Sequence, residues 1–350
     1  MPNSNVYDDT LSSASASVGS NTRERDVRKK AIVQYAMDCP VSSRARKGPA
    51  LMSSRPEWVV KKYATANTDG ALEGAPFAAA DAENNLANKA ILSSRYQIAR
   101  RRIMVTKQAR AMVNQFAVEG DLYEDNKRDK GVEIQVDIEA TLLSDNESVA
   151  PTDDSVAGKT RSIPRFVSND NSRFTDADTT PAAAYRTPAA SIVVSKNANG
   201  QDTTEEDLRG ILTSIASARK KNFGEAMLIC SPNGRNTLAR FTYLDKNPTS
   251  TYQAVRRWNQ KEETIDARAT YYKSDHGDLE ALTSYQLDSS VIMLILDMDS
   301  VEIAYAPGLG IAFEDMPPDG GNKRGQWEAT WCAKLLNPVS AGKVITGATA

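Results

Sequence analysis

The sequence predicts an α+β fold organised around one long helix, and three stretches carry that reading. Within residues 119–146, Ile134, Ile138 and Leu142 recur every fourth residue, with Val136, Ala140 and Leu143 one step round. That spacing lays a narrow apolar stripe along a helix of about 25 residues, roughly 37 Å long. From Ser191 onward, short apolar runs alternate with an amphipathic helix, as in a compact α/β unit. The chain then ends on GIAFEDM and QWEATWCAKLLNP, which alternate with strand period and place Trp327, Ala329, Trp331, Ala333 and Leu335 on one face.

The totals fit this reading and narrow the function. A chain of 350 residues can bury a substantial core in two domains or one elaborated one. Its 43 basic residues against 45 acidic ones argue against wholesale electrostatic binding to nucleic acid or membrane. No stretch approaches the roughly 20 apolar residues of a membrane span. The opening MPNSNVYDDTLSSASASVGSN lacks the basic start and apolar core of a signal peptide. Cys39, Cys230 and Cys332 are scattered and odd in number, which reads as free thiols in a reducing compartment.

Taken in order, residues 1 to about 22 have hardly any large apolar side chain and read as disordered. TRERDVRKKAIVQYAMDCP suits a short helix closed by Pro40. Between Arg23 and Lys47 basic residues outnumber Glu24, Asp26 and Asp38, which makes a basic arm. PEWVVKKYATA is strand-like, an Ala/Asn/Asp-rich region follows, and SSRYQIARRRIMVTKQARAM is strand-like again. The two runs are expected to pair as a long projecting hairpin, marginal alone and better laid across a neighbour. In the long helix Asp121 and Glu124 form the expected capping pair, and Gly131 interrupts a charged first half.

Beyond it, 144–188 reads as a loop-rich tract with only Ile163, Phe166 and Val167 buried. In the α/β unit SIVV is a strand. A helix follows with Thr203 and Glu206 as its capping box and Leu208, Ile211, Leu212 and Ile215 as its apolar face. AMLIC is a buried strand leading to a helix with Ser231 as N-cap and Pro232 first in the helix. Ala267–Tyr272 and Leu279–Leu282 flank a hairpin turn at Ser274–Asp278, and VIMLILD and SVEIAYA are further strands. The closing hairpin, with the turn-rich PPDGGNKRG between its strands, is expected to pack on the long helix.

Catalytic patterns are weak. The single histidine, His276, sits in Ser-Asp-His-Gly-Asp, which suits a hairpin turn better than a nucleophile–base pair. Asp297 and Asp299 follow a buried strand without a second carboxylate cluster or a phosphate loop, so strand-end capping is preferred. Gly308-Leu309-Gly310 lacks the third glycine of a nucleotide fingerprint, and no zinc spacing exists.

The order of parts resembles the major capsid proteins of tailed bacteriophages, the Hong Kong 97 fold. PEWVVKKYATANTDGALEGAP resembles the start of that family's E-loop, and IQVDIEATLLSDN the end of its spine helix. AMLICSPNGRNTLARF resembles its axial strand–helix unit, and YYKSDHGDLEAL a Ser-Asp-aromatic-Gly hairpin with His276 in the aromatic place. VIMLILDMDSVEIAYA and WEATWCAKLLNPVSAG resemble its closing strands. The first fifty residues and 147–190 depart from the pattern.

The resemblance implies an N-terminal arm (1–54), an E-loop hairpin (55–106), a peripheral domain (107–165) with a spine helix at about 121–144, an axial domain (166–299), and a return to the peripheral domain (300–350). It implies no catalysis, cofactor or metal. It implies self-assembly as hexamers and pentamers into an icosahedral shell around packaged double-stranded DNA, in the virion and, during assembly, in the host cytoplasm. Portal, scaffold or decoration proteins are the expected partners, and no membrane is. Expected inter-subunit contacts are Trp58, Lys61, Lys62, Glu73, Arg100, Arg101, Arg102, Lys323 and Arg324, with the Arg100–Arg102 run making salt bridges to another subunit. The competing readings are an encapsulin-like compartment, an α/β hydrolase or nuclease using Asp275, His276 and Asp297, and a DNA-binding module using Arg23 to Lys47.

Overall fold

The computed structural model describes residues 38–68, 70, 73–74, 88–111, 121–152, 155–174, 181–197, 199–200, 202–223, 225–241, 258–259, 264–265 and 271–347. The disordered start, most of the helix expected after Thr22, most of the hairpin tip and residues 267–270 lie outside them.

The elements run β1 (Arg46–Lys47), β2 (Glu57–Lys61), β3 (Lys89–Ser93), β4 (Gln97–Val105), α1 (Lys107–Ala111), α2 (Leu122–Leu143) and α3 (Ile163–Phe166). Next come β5 (Ile192–Ser195), α4 (Glu205–Arg219), β6 (Glu225–Cys230), α5 (Pro232–Phe241), β7 (Trp258–Asn259) and β8 (Thr264–Ile265). The last are β9 (Tyr271–Ser274), β10 (Gly277–Thr283), β11 (Val291–Leu296), β12 (Val301–Tyr305), β13 (Ala312–Asp319), β14 (Asn322–Leu335) and β15 (Gly342–Thr346).

Helix α2 is the expected beam, with Ile134, Ile138, Leu142 and Leu143 buried. Asp121 caps it by accepting from Tyr123 N. Glu124 does not close a capping box; its carboxylate faces Lys127 and Lys323 instead. The charged first half still packs, because Tyr123 is buried beside Phe313 and the Trp327 ring lies over Gly131. A Cβ at Gly131 would come within 3.0 Å of that ring, and the indole Nε1 donates to Lys127 O at 2.8 Å.

That helix rests on a five-stranded sheet built along β14. β12 and β13 share one edge of β14, and β4 lies antiparallel along the other. The β13–β14 turn is tighter than the turn-rich loop expected there. Asp319 pairs with Asn322 across Gly320 and Gly321, both at positive φ, where glycine carries no Cβ penalty. A six-stranded sheet, ordered β5-β15-β11-β6-β10-β9, forms the α/β unit, with α4 and α5 contributing to the core on one of its faces.

One apolar cluster joins the two sheets: Ile134, Ile138 and Leu142 of α2 meet Trp331, Ala333 and Leu335 of β14 and Met227, Ile229 and Leu294 of the six-stranded sheet. The closing hairpin therefore packs on the long helix as its alternation requires.

Four expectations need correction. The PEWVV strand does not pair with the 96–105 run. Its partner is β3, with Val59 opposite Ile91, while β4 finds β14. Both runs had the alternation of strands, but alternation does not name a partner. The capping box of α4 is Thr204 with Asp207, one residue on from Thr203 and Glu206, because Thr203 is buried beneath the turn. β12, read among the strands of the α/β unit, lies in the five-stranded sheet, while β15, within the return expected over 300–350, lies in the six-stranded one. Finally, 144–188 buries more than the three apolar residues expected, adding Phe174 and Tyr185 and, unexpectedly, the polar Thr160, Arg161, Ser162 and Thr187.

Candidate assembly surface and its ionic anchor

Strands β2 and β3 form a two-stranded ribbon separate from both sheets. Period-two alternation gives it two unlike faces. Inward, Leu92 is fully buried and Trp58 meets Phe166 with ring centroids 5.8 Å apart. Outward, the directly opposed Val59 and Ile91 are 61% and 50% exposed. Lys61 and Lys89 also face each other across this ribbon, an unfavourable like-charge pair unless an external anion meets it. Lys62 lies over the Tyr185 ring, 5.3 Å from its centroid.

The base of the ribbon is fixed by a buried guanidinium. Arg161 is fully buried and donates Nε to Glu147 Oε1 at 2.6 Å and Nη1 to Ser93 O at 3.3 Å. Its backbone N donates to Ser94 Oγ, and its guanidinium lies over the rings of Phe166 and Phe174 at 5.1 and 5.2 Å. Glu147 also accepts from Arg165, and Asp145 pairs with Arg173. A buried cation requires such partners, because desolvation would otherwise expel it. The network thus ties the ribbon (Ser93, Ser94) to the segment just after α2 (Asp145, Glu147) and to the tract around α3. Sequence reasoning missed it. The available signal was the recurrence of Asp145, Glu147, Arg161, Arg165 and Arg173 in a tract poor in apolar residues.

The remaining expected contact residues divide by strand face. Arg101 points to α2, where it makes a two-pronged pair with Asp137 at 2.6 Å that strengthens its hold on its proton. Lys323 sits 3.8 Å over the Tyr123 ring. Arg100, Arg102 and Met104 lie on the opposite, exposed face. Arg100 pairs with Glu328 directly across the sheet, so the ionic partners of Arg100 and Arg101 lie within the chain rather than on another subunit. Arg102 has no ion pair among the described residues. Arg324 bonds Asp319 and Pro317 O at the β13–β14 turn, and Glu73 is exposed.

The residues of the enzyme reading do not converge. His276 Nε2 is bonded to Thr213 Oγ1 in the middle of α4, and Asp275 faces Arg209. Asp297 pairs with Arg219 at the end of α4 and lines a 560 Å³ cleft that Asp275 and His276 do not reach. Among the described residues no group of three or more His, Cys, Asp or Glu is placed to hold a metal ion. No helix among them is long and apolar enough to cross a membrane. Cys39, Cys230 and Cys332 are free thiols, and burial pushes that of Cys230 up to about 12.

Solved structures share this architecture. A chain from the capsid structure of the cyanophage P-SCSP1u superposes with a TM-score of 0.60 at 9% identity, covering 93% of each chain. One from the capsid of a native GTA particle gives 0.56 at 8% identity over 98% of this chain and 100% of that one. One from Gordonia phage Cozz gives 0.54 at 12% identity over 93% and 92%. The fold is therefore the α+β, Hong Kong 97-like capsid fold. Within that class the chain belongs to the SU10 major capsid protein family, whose model matches residues 8–349, and it is a shell-forming capsid protein of the tailed-phage type. No curated protein matches the chain.

Proposed function

We propose that the outward face of the β2–β3 ribbon is the surface through which one subunit grips the next in the shell. The observation that carries this is the exposed Val59–Ile91 pair beside the opposed Lys61 and Lys89. Apolar area of that kind is withdrawn from water by a neighbour, and an acidic patch on the neighbour relieves the lysine pair. Trp58, Arg101 and Lys323 are held within the chain by Phe166, Asp137 and Tyr123. Arg100, Lys62 and Arg324 likewise have partners in Glu328, Tyr185 and Asp319, which leaves Lys61, Glu73 and Arg102 to face neighbouring copies. The assembled product is a virion shell of hexamers and pentamers enclosing double-stranded DNA, put together in the host cytoplasm with a portal and with scaffold or decoration proteins.

The test is a Val59→Glu/Ile91→Lys double variant, which replaces the apolar pair without opposing like charges across the ribbon. Both side chains are exposed, so the isolated subunit is expected to keep its circular dichroism spectrum and melting temperature. Closed particles in negative-stain micrographs are expected to disappear. Normal shells from this variant would sink the proposal. Nuclease-protected DNA inside purified particles would test the cargo.

A further inference from the structure

A second site lies away from the ribbon, where residues 168–173 cross the β5–β15 edge of the six-stranded sheet. A cleft of about 410 Å³ opens there, lined by Ser168, Asp170, Arg173, Lys343 and the apolar Ile192 and Ile345. Lys343 is 3% exposed, and its ammonium makes one hydrogen bond, to Pro164 O at 2.8 Å. An ammonium carries three donors, so two have no acceptor among the described residues. Arg173 spends Nη2 on Asp145, while its buried Nε has no partner among the described residues. Ser168 Oγ accepts from Asp170 N and keeps its own proton for a ligand.

Cations crowd this corner of the described residues. Arg161, Arg165, Arg173 and Lys343 lie among Asp145, Glu147 and Asp288, and Asp145 is shared by two of the arginines. The Asp170 carboxylate on the rim is turned to Ser172, whose N and Oγ both donate to it. A buried ammonium and a half-buried guanidinium with unfilled donors around one cleft call for an oxyanion, which offers several acceptors and negative charge together.

We propose that this cleft binds one tetrahedral oxyanion of the phosphate class, held by Lys343, Arg173 and Ser168. Free phosphate and a nucleic-acid phosphodiester share that chemistry. Burial and the nearby Arg173 hold the Lys343 pKa down to about 8, with Arg165 acting in the same direction and Asp145 and Asp288 opposing. An oxyanion restores the ordinary preference of Lys343 for its proton, so binding is accompanied by proton uptake at pH 8 to 9.

The experiment is calorimetric titration of the full chain with inorganic phosphate at constant ionic strength, in two buffers of different ionisation enthalpy at pH 8.5. A parallel titration uses a short DNA duplex. Saturable phosphate binding with proton uptake is expected, weakened about tenfold or more by Lys343→Met and by Arg173→Gln. Duplex binding that falls in the same two variants, with no response to inorganic phosphate, would also support the site and assign it to a phosphodiester. Silence toward both ligands overturns the proposal, as does binding that neither variant weakens. Proton uptake is read on the unmodified chain, so the test survives a variant that fails to fold.

Discussion

Lys343 shows how a single side chain sets a pH dependence. The folded chain releases this proton near pH 8, whereas an exposed lysine keeps it to 10.5. Below pH 8 both states are protonated and the folded state bears the full cost of a buried ammonium. Between these values only the unfolded chain holds the proton, so stability rises with pH by an amount of order 3 kcal/mol. In Lys343→Met this contribution is absent. Loss of the bond to Pro164 O costs about 1 kcal/mol, less than the relief of desolvation. Urea unfolding is therefore expected to show the variant more stable at pH 7 by about 2 kcal/mol, with the order reversed by about 1 kcal/mol at pH 10.5. A constant gap across that range would contradict the assignment. Arg161 is as deeply buried but has a carboxylate, a carbonyl and two aromatic rings around its guanidinium.

The elements divide into those that a local pattern specifies and those that only a distant partner explains. Helix α2 is legible because Ile134, Ile138 and Leu142 repeat at helical spacing, and β14 because Trp327 to Leu335 alternate. Glu139 is not, although it is fully buried on α2. Its carboxyl accepts from Val41 N at 3.0 Å and Ser42 N at 2.7 Å, about a hundred residues earlier in the chain, and clamps the arm that leads to β1. Glu139→Ala leaves two amides without acceptors, an expected loss of roughly 1–3 kcal/mol. Hydrogen exchange at Val41 and Ser42 should accelerate well beyond that at Ile134. Equal protection in both proteins would mean the clamp does not hold the arm. The same contrast explains the ribbon: KAILS is five residues in an Ala- and Asn-rich stretch, too short to announce β3, and β4 carried the stronger pattern. The anchor on Arg161 was hidden because a buried arginine and a solvated one look alike until their carboxylates are placed.

At the scale of the whole molecule, the division into peripheral and axial parts describes sheets rather than separate cores. Trp331 is fully buried and belongs to the apolar cluster that includes Ile138 of α2, Ala333 of β14, and Met227 and Leu294 of the other sheet. A cluster shared in this way makes the two sheets mutually dependent, since neither can unfold without exposing the apolar face of the other. The isolated subunit is therefore expected to unfold in one calorimetric transition, with van't Hoff and calorimetric enthalpies equal. Trp331→Ala, at about 3–5 kcal/mol, should lower that single transition without splitting it. Two resolved transitions in the parent chain would show independent domains. A variant in which only one half melts early would confine Trp331 to the five-stranded sheet. A subunit that unfolds as one body can transmit load from its ribbon, through Arg161 and α2, into the six-stranded sheet, as a closed shell requires of every copy.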